Sequence, residues 1–173
     1  MDLKKTIRNI PDFPKKGVVF RDITTLLKNP EAFGQTLDEM QAFCEGKKID
    51  HILGIESRGF IFGGALADRM RISFVPIRKK GKLPAETVGY DYELEYGTDT
   101  IEIHADALKK GDSVVIVDDL LATGGTMQAA CKLVEKAGAK VAGIAVLVDL
   151  AYLPWRDKIK VEDILTLVQY DSE

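Results

Sequence analysis

Val114 to Thr126 reads VVIVDDLLATGGT, and this string decides the fold. Four β-branched apolar residues in a row leave no polar face, so they read as a strand buried on both sides. Two acids, Asp118 and Asp119, stand at the carboxyl end of that strand. A short loop with Ala122, Thr123, Gly124, Gly125 and Thr126 then leads into a helical segment, Gly125 to Ala137. Strand, polar loop and helix in succession point to an α/β fold with a mostly parallel sheet. In such sheets ligands lie beyond the carboxyl ends of the strands.

Working outward, four more apolar runs repeat the pattern: HILGI (His51 to Ile55), ISFVPI (Ile72 to Ile77), VAGIAVLVD (Val141 to Asp149) and LTLVQY (Leu165 to Tyr170). Gly59 to Met70 reads as a helix opening just after HILGI. Pro30 to Lys47 places Phe33, Leu37, Met40 and Cys44 on one helical face. Lys79 to Ala105 breaks the pattern with Gly81, Pro84, Gly89 and Gly97 and the alternating pieces YELEY and TIEIHA. Ile101 and Ile103 then face one way, Glu102 and His104 the other. This segment is expected to be a mobile hairpin over the sheet edge, able to cover a site and exclude water. No repeat, low-complexity tract or linker interrupts the 173 residues, which predicts a single domain.

Composition removes several function classes. A formal net charge of -3 argues against nucleic acid as the main partner. The apolar runs are too short to span a bilayer, and MDLKKTIRNIPDFP at the amino end has no apolar core of the signal-peptide kind, so a cytoplasmic protein without a membrane partner is expected. Cys44 and Cys131 lie among apolar neighbours and read as buried thiols. His51 and His104 have no clustered ligands, so no zinc site is expected.

The chemistry of VVIVDDLLATGGT follows from its residue types. Glycines let backbone N–H groups approach an anion, and a helix start adds free donors and a positive dipole end. Thr123 and Thr126 add hydroxyl donors. Asp118 and Asp119 would repel a phosphate, yet carboxylates accept from sugar hydroxyls. A phosphate cradle beside a diol clamp describes a binder of ribose 5-phosphate. A Gly-Gly-Thr turn alone is also an ordinary helix start; the whole string carries the ligand reading. Neither GxxxxGK[ST] nor GxGxxG occurs, so kinase, ATPase and dinucleotide readings lack support.

Other segments are ambiguous by themselves. Arg58, in ESRGF (Glu56 to Phe60), has the fork geometry suited to a diphosphate or to a surface ion pair. The basic run of IRKKGKLP (Ile77 to Pro84) reads as a solvated face or as an anion site at a strand end. Val18, Val19 and Phe20 would equally plug a core edge.

VVIVDDLLATGGT resembles the ribose-phosphate signature of the type I phosphoribosyltransferases. With PDFPKKGVVFRDIT (Pro11 to Thr24), ESRGF, IRKKGKLP and LEYG (Leu94 to Gly97) in the same order, the chain is similar to the adenine phosphoribosyltransferases from about Pro11 to Tyr170. The resemblance implies the type I phosphoribosyltransferase fold, with helices flanking a mostly parallel sheet, a hood over residues 1–30 and a flexible hairpin flap over residues 79–105. It implies purine salvage: transfer of the 5-phosphoribosyl group from phosphoribosyl pyrophosphate to adenine, giving AMP and pyrophosphate.

The same resemblance distributes roles. Asp118, Asp119 and Ala122 to Thr126 hold the ribose 5-phosphate. Ser57, Arg58, Arg78 and Lys82 bind pyrophosphate, with a non-proline cis peptide near Glu56–Ser57; Glu56 stands where the family more often has Asp. The Val19 carbonyl accepts from the exocyclic amine of adenine, the Arg21 backbone N–H donates to N1, and Phe20 and Leu120 sandwich the ring. Glu95 bonds N7 and assists proton movement, sharing the catalytic role with Arg58, and Tyr96 closes over the site. Mg²⁺ enters mainly through substrate, with no direct protein ligand, and a homodimer is implied. Another purine base (xanthine, hypoxanthine or guanine) is the alternative the ribose signature leaves open, and VVFRD with LEYG favours adenine. A non-catalytic sensor of phosphoribosyl pyrophosphate is the other, and it would usually carry a second domain or lack the flap acid.

Overall fold

The computed structural model describes residues 1–94 and 97–173. In chain order it forms β1 (Arg8–Ile10), β2 (Phe20–Asp22), the single turn α1 (Thr24–Leu27), α2 (Pro30–Cys44), β3 (His51–Ile55), α3 (Gly59–Met70) and β4 (Ser73–Lys79). These are followed by β5 (Thr87–Leu94), β6 (Gly97–His104), β7 (Ser113–Leu121), α4 (Gly125–Lys136), β8 (Lys140–Leu150) and β9 (Ile164–Tyr170). A seven-stranded sheet runs in the order β5-β6-β4-β3-β7-β8-β9. Strands β4, β3, β7, β8 and β9 are parallel, while β6 pairs antiparallel with both β4 and β5.

The double-faced apolar runs explain the sheet's position. Val114 and Ile116 point into one core with Leu133 and Val134 of α4. Val115 and Val117 point into the other with Leu37 and Met40 of α2 and Phe62 and Leu66 of α3. Asn29 starts α2 by accepting from the amides of Glu31 and Ala32, with Pro30 at the first helical position, where its missing N–H costs nothing. The expected face of α2 is buried at Leu37, Met40 and Cys44, and Phe33 packs partly buried against the same core.

Three boundaries and the place of the hairpin differ from the sequence reading. Helix α2 stops at Cys44, because Glu45 turns to extended backbone and Gly46 takes a positive φ of 76°. Strand β4 runs on through Arg78 and Lys79, which pair with Glu102 and Ile101 of β6. Strand β7 runs on through the acids to Leu121, drawn out by pairing with Val146, Val148 and Asp149 of β8. The hairpin does not lie over the sheet edge: β5 and β6 are the edge, hydrogen-bonded to β4. Burial along β6 differs too. Ile101 and Ile103 are buried as expected, but so is Glu102, whose carboxylate accepts from the Gly81 amide at 3.2 Å.

Candidate active site

A groove of about 320 Å³ opens where β3 and β7 end. Glu56, Ser57 and Arg58 line one side, Asp118 to Leu121 the floor, and Ala122 to Thr126 the other side. The parallel pairing of β3 with β7 makes this meeting unavoidable, since it brings both carboxyl ends to one edge of the sheet.

The side formed by Ala122 to Thr126 is built from backbone. Gly124 sits at the N-cap of α4 with φ +79° and has no side chain to cap the helix, so the first-turn amides of α4 lack a side-chain partner. The regular ladder begins with the Gln128 amide donating to the Gly124 carbonyl at 2.8 Å. A Cβ on Gly125 would meet nothing within 4 Å, so packing does not require that glycine, and its open face borders the groove. Gly59 is different: a Cβ there would stand 2.8 Å from the Val117 carbonyl and 3.0 Å from Oδ1 of Asp118. Only a glycine lets α3 start this close to the end of β7.

The two acids are held apart in role. Arg58 Nε donates to Asp119 Oδ2 at 2.5 Å, and Asp118 Oδ1 accepts from the Asp119 amide at 2.9 Å. Burial, then the charge of neighbouring Asp119, pushes the Asp118 carboxyl well above its usual range. With Arg58 offsetting the charge of Asp119, this pair would repel a nearby anion less than two bare carboxylates would.

Of the basic residues Arg58 lines the groove, while Arg78 and Lys79 line a neighbouring pocket that shares Ile55, Glu56 and Thr126 with it, and each is engaged by an internal partner. Arg78 grips Glu56 with both arms, Nη2 to Oε1 at 3.0 Å and Nε to Oε2 at 3.2 Å, and its Nη1 donates to the Lys82 carbonyl at 3.1 Å. The Arg78 hydrogen bonds are the main reason the Glu56 carboxyl lies below its ordinary value. Lys79 pairs with Asp99 at 3.1 Å, and the Lys82 side chain is exposed. The Glu56–Ser57 peptide is cis, as the resemblance implied.

The hood residues divide. The Phe20 ring centre lies 5.9 Å from the Arg58 guanidinium, which brings it to the groove's edge, and Leu120 lines the groove itself. Val19 is half-buried beside Phe20. The Arg21 side chain turns away: it is buried over the Tyr170 ring at 4.0 Å, donating to Asn9 Oδ1 at 2.8 Å and to the Ser172 carbonyl at 3.1 Å. Arg8 joins the same anchor through Asp22. Glu95 and Tyr96 lie outside the described residues.

Several site residues were not read from the sequence. Glu56 as the Arg78 acceptor and Asp99 as the Lys79 acceptor depend on strand pairing, which no local motif encodes. Tyr92, whose hydroxyl lies 3.5 Å from Thr126 Oγ1 and 3.5 Å from Asp99 Oδ2, brings the hairpin to the phosphate loop. Trp155 packs beneath Gly124; a large aromatic in the polar stretch after a buried strand was the available signal.

Among the described residues, no group of three or more His, Cys, Asp or Glu is placed to hold a metal ion, and no helix is long and apolar enough to cross a membrane.

Comparison with known proteins agrees with this geometry. Residues 24–168 match the phosphoribosyl transferase domain family. The chain is 54% identical over 171 residues to the adenine phosphoribosyltransferase of Acetivibrio thermocellus, covering 98% of this chain and 100% of that one. The crystal structure of adenine phosphoribosyltransferase from Thermoanaerobacter pseudethanolicus superposes with a TM-score of 0.93 at 53% identity, covering 97% and 98% of the two chains. The Saccharomyces cerevisiae adenine phosphoribosyltransferase, solved with an iminoaltritol bisphosphate and adenine, gives 0.91 at 40% identity over 95% and 96%.

Proposed function

The chain belongs to the adenine phosphoribosyltransferases, and we propose that the groove between β3 and β7 is where it performs their reaction. The enzyme transfers the 5-phosphoribosyl group from phosphoribosyl pyrophosphate to adenine, giving AMP and pyrophosphate in purine salvage. One observation supports the site: the uncapped start of α4 and the Asp118–Asp119 pair border the same groove, with Arg58 bonded to Asp119 on its other side.

In this reading the amides and hydroxyls of Ala122 to Thr126 hold the 5-phosphate, and Asp118 and Asp119 accept from the ribose hydroxyls. Arg58, Ser57, Arg78 and Lys82 receive the diphosphate. Phe20 and Leu120 face adenine from its two sides, with the Val19 carbonyl and the Arg21 amide reading the amine and N1. A carbonyl facing the amine disfavours a base that carries an oxygen there, because acceptor would meet acceptor. The C1′–O bond to diphosphate breaks and the C1′–N9 bond forms on the opposite face. The N9 proton leaves, assisted by Glu95, and Tyr96 closes the site. The residues act by placing two substrates, balancing charge and excluding water.

Glu56, Asp118 and Asp119 line the groove, Glu56 engaged by Arg78 and Asp119 by Arg58, and among the described residues no three such groups are placed to hold a metal ion. That set fits a Mg²⁺ ion carried by substrate oxygens and water rather than a protein cage. When bound, such an ion would offset the charge of the diphosphate leaving group. We read residues 1–173 as one catalytic domain with its hood at 1–30 and flap at 79–105, working as a homodimer. Exposed Ile61 on α3 is an apolar side chain that a second copy would cover. A cytoplasmic location is part of the same reading, and two free, buried cysteines accord with a reducing compartment.

The test is a panel of purine bases, each incubated with phosphoribosyl pyrophosphate and Mg²⁺. AMP from adenine alone is expected. Comparable nucleotide from xanthine, hypoxanthine or guanine would overturn the base assignment, and no nucleotide from any base would overturn the reaction.

A further inference from the structure

The phosphate loop rests on a second layer of structure outside the groove. Gly124 touches Trp155: a Cβ at Gly124 would stand 2.9 Å from Trp155 Cβ, 3.2 Å from its Cα and 3.3 Å from its carbonyl oxygen. Trp155 is 1% exposed, and its indole N–H donates to Asp149 Oδ1 at 2.7 Å. Asp149 is fully buried near the carboxyl end of β8, where it pairs in register with Leu121, the residue before the phosphate loop. Its other oxygen, Oδ2, has no hydrogen-bond partner; the Arg156 Nη2 atom lies 3.5 Å away, and the Arg156 guanidinium stacks 4.3 Å from the indole.

The buried carboxylate therefore takes its side-chain hydrogen bond from the indole, and the indole's backbone is what Gly124 leans on. A buried carboxylate and a buried N–H each lose heavily when left unpaired, so the bond is held firmly. It ties the segment after β8 to the end of β8, next to Leu121 of β7. We propose that Asp149 and Trp155 are positioning residues for the phosphate loop, holding Gly124 where the amides of α4 meet the 5-phosphate of the sugar substrate. The proposal rests on the reading of that loop as the phosphate cradle. Neither residue lines the groove, so neither touches substrate.

Two measurements test it. Trp155→Phe keeps an aromatic ring but removes the N–H. The KM for phosphoribosyl pyrophosphate should rise about tenfold, because a small displacement of a positioning group is costly. The KM for adenine should stay at the wild-type value. Asp149→Asn retains an acceptor for the indole and should keep the KM for phosphoribosyl pyrophosphate near wild type. A merely structural role would lower the active fraction and the melting temperature while leaving both KM values unchanged, and that result overturns the proposal.

The unaltered protein supplies a second readout that no folding failure can obscure. Trp155 is the sole tryptophan of the chain, so its emission reports on the surroundings of this one side chain. Saturating ribose 5-phosphate should change that emission, and adenine alone should not. Unchanged emission at ribose 5-phosphate saturation, established separately by calorimetry, also overturns the proposal. Ribose 5-phosphate that fails to bind the wild type at all would instead sink the cradle reading on which it rests.

Discussion

The two halves of the groove differ in what their polar groups are already doing. On the phosphate side the donors are uncommitted: α4 has no side-chain cap, and Gly125 opens onto empty space. On the diphosphate side the strand cations and Arg58 are engaged, Arg78 with Glu56, Lys79 with Asp99 and Arg58 with Asp119. One half is preformed and needs only its ligand. The other is a set of internal ion pairs that, in the proposed reading, an incoming diphosphate would reorganise. A preformed half loses little on binding, whereas an exchanging half holds its cations in place without leaving them bare.

The sharpest way to break this contrast is Asp119→Ala, which removes a sugar acceptor and the Arg58 partner together. Since pre-placed polar groups commonly supply large factors, kcat/KM for AMP formation should fall about 100-fold or more. Turnover close to wild type would mean the floor of the groove does not hold the sugar. Next comes Gly124→Ala, which places a side chain against Trp155 in left-handed backbone. It should cost about 1–3 kcal/mol in urea unfolding and raise the KM for phosphoribosyl pyrophosphate while sparing that for adenine. An unchanged unfolding midpoint would show that the loop is looser than its packing implies.

A smaller effect separates fixed from exchanging partners. Arg78→Gln should raise the KM for phosphoribosyl pyrophosphate about tenfold, the scale of one charge-assisted contact. Glu56→Gln frees Arg78 and should leave that KM level or lower it. Equal losses in both variants would show that Arg78 and Glu56 act as a fixed unit, erasing the distinction between the halves.

The smallest effect belongs to the hood. Hydrogen bonds from Thr24, then from Arg8, lower the Asp22 carboxyl to about 2 from 3.8. A folded-state value depressed in this way stabilises above the unfolded value and is lost as pH falls through the folded one. The stability difference between wild type and Asp22→Asn should therefore be constant above about pH 4 and shrink toward pH 2. Chemical unfolding at a series of pH values measures it, and a gap that widens on acidification would contradict the assignment.

Much of the fold and of the phosphate half was legible because it is local. VVIV is apolar on every residue, which dictates a strand buried on both faces, and the glycines and threonines after it lie contiguous in sequence. The diphosphate half was legible only as residue types. Which acid each cation would meet depends on β4 pairing with β3, which brings Glu56 to Arg78, and with β6, which brings Asp99 to Lys79; the run Arg78, Lys79, Lys80 contains no hint of either. Two acids after VVIV look like the end of a strand, yet pairing with β8 carries β7 on to Leu121. Trp155 was missed because its partner Gly124 lies across the sheet end, and no spacing rule links them.

One contact in the hood reaches further than its size implies. Arg21 donates to the Ser172 carbonyl, 151 residues along the chain, and Lys4 donates to the Gln169 carbonyl. The segment proposed to cover the base is thus tied to the strand that closes the opposite edge of the sheet. A tag fused just after this strand would load the same tie, so affinity for the base should differ between tagged and cleaved protein.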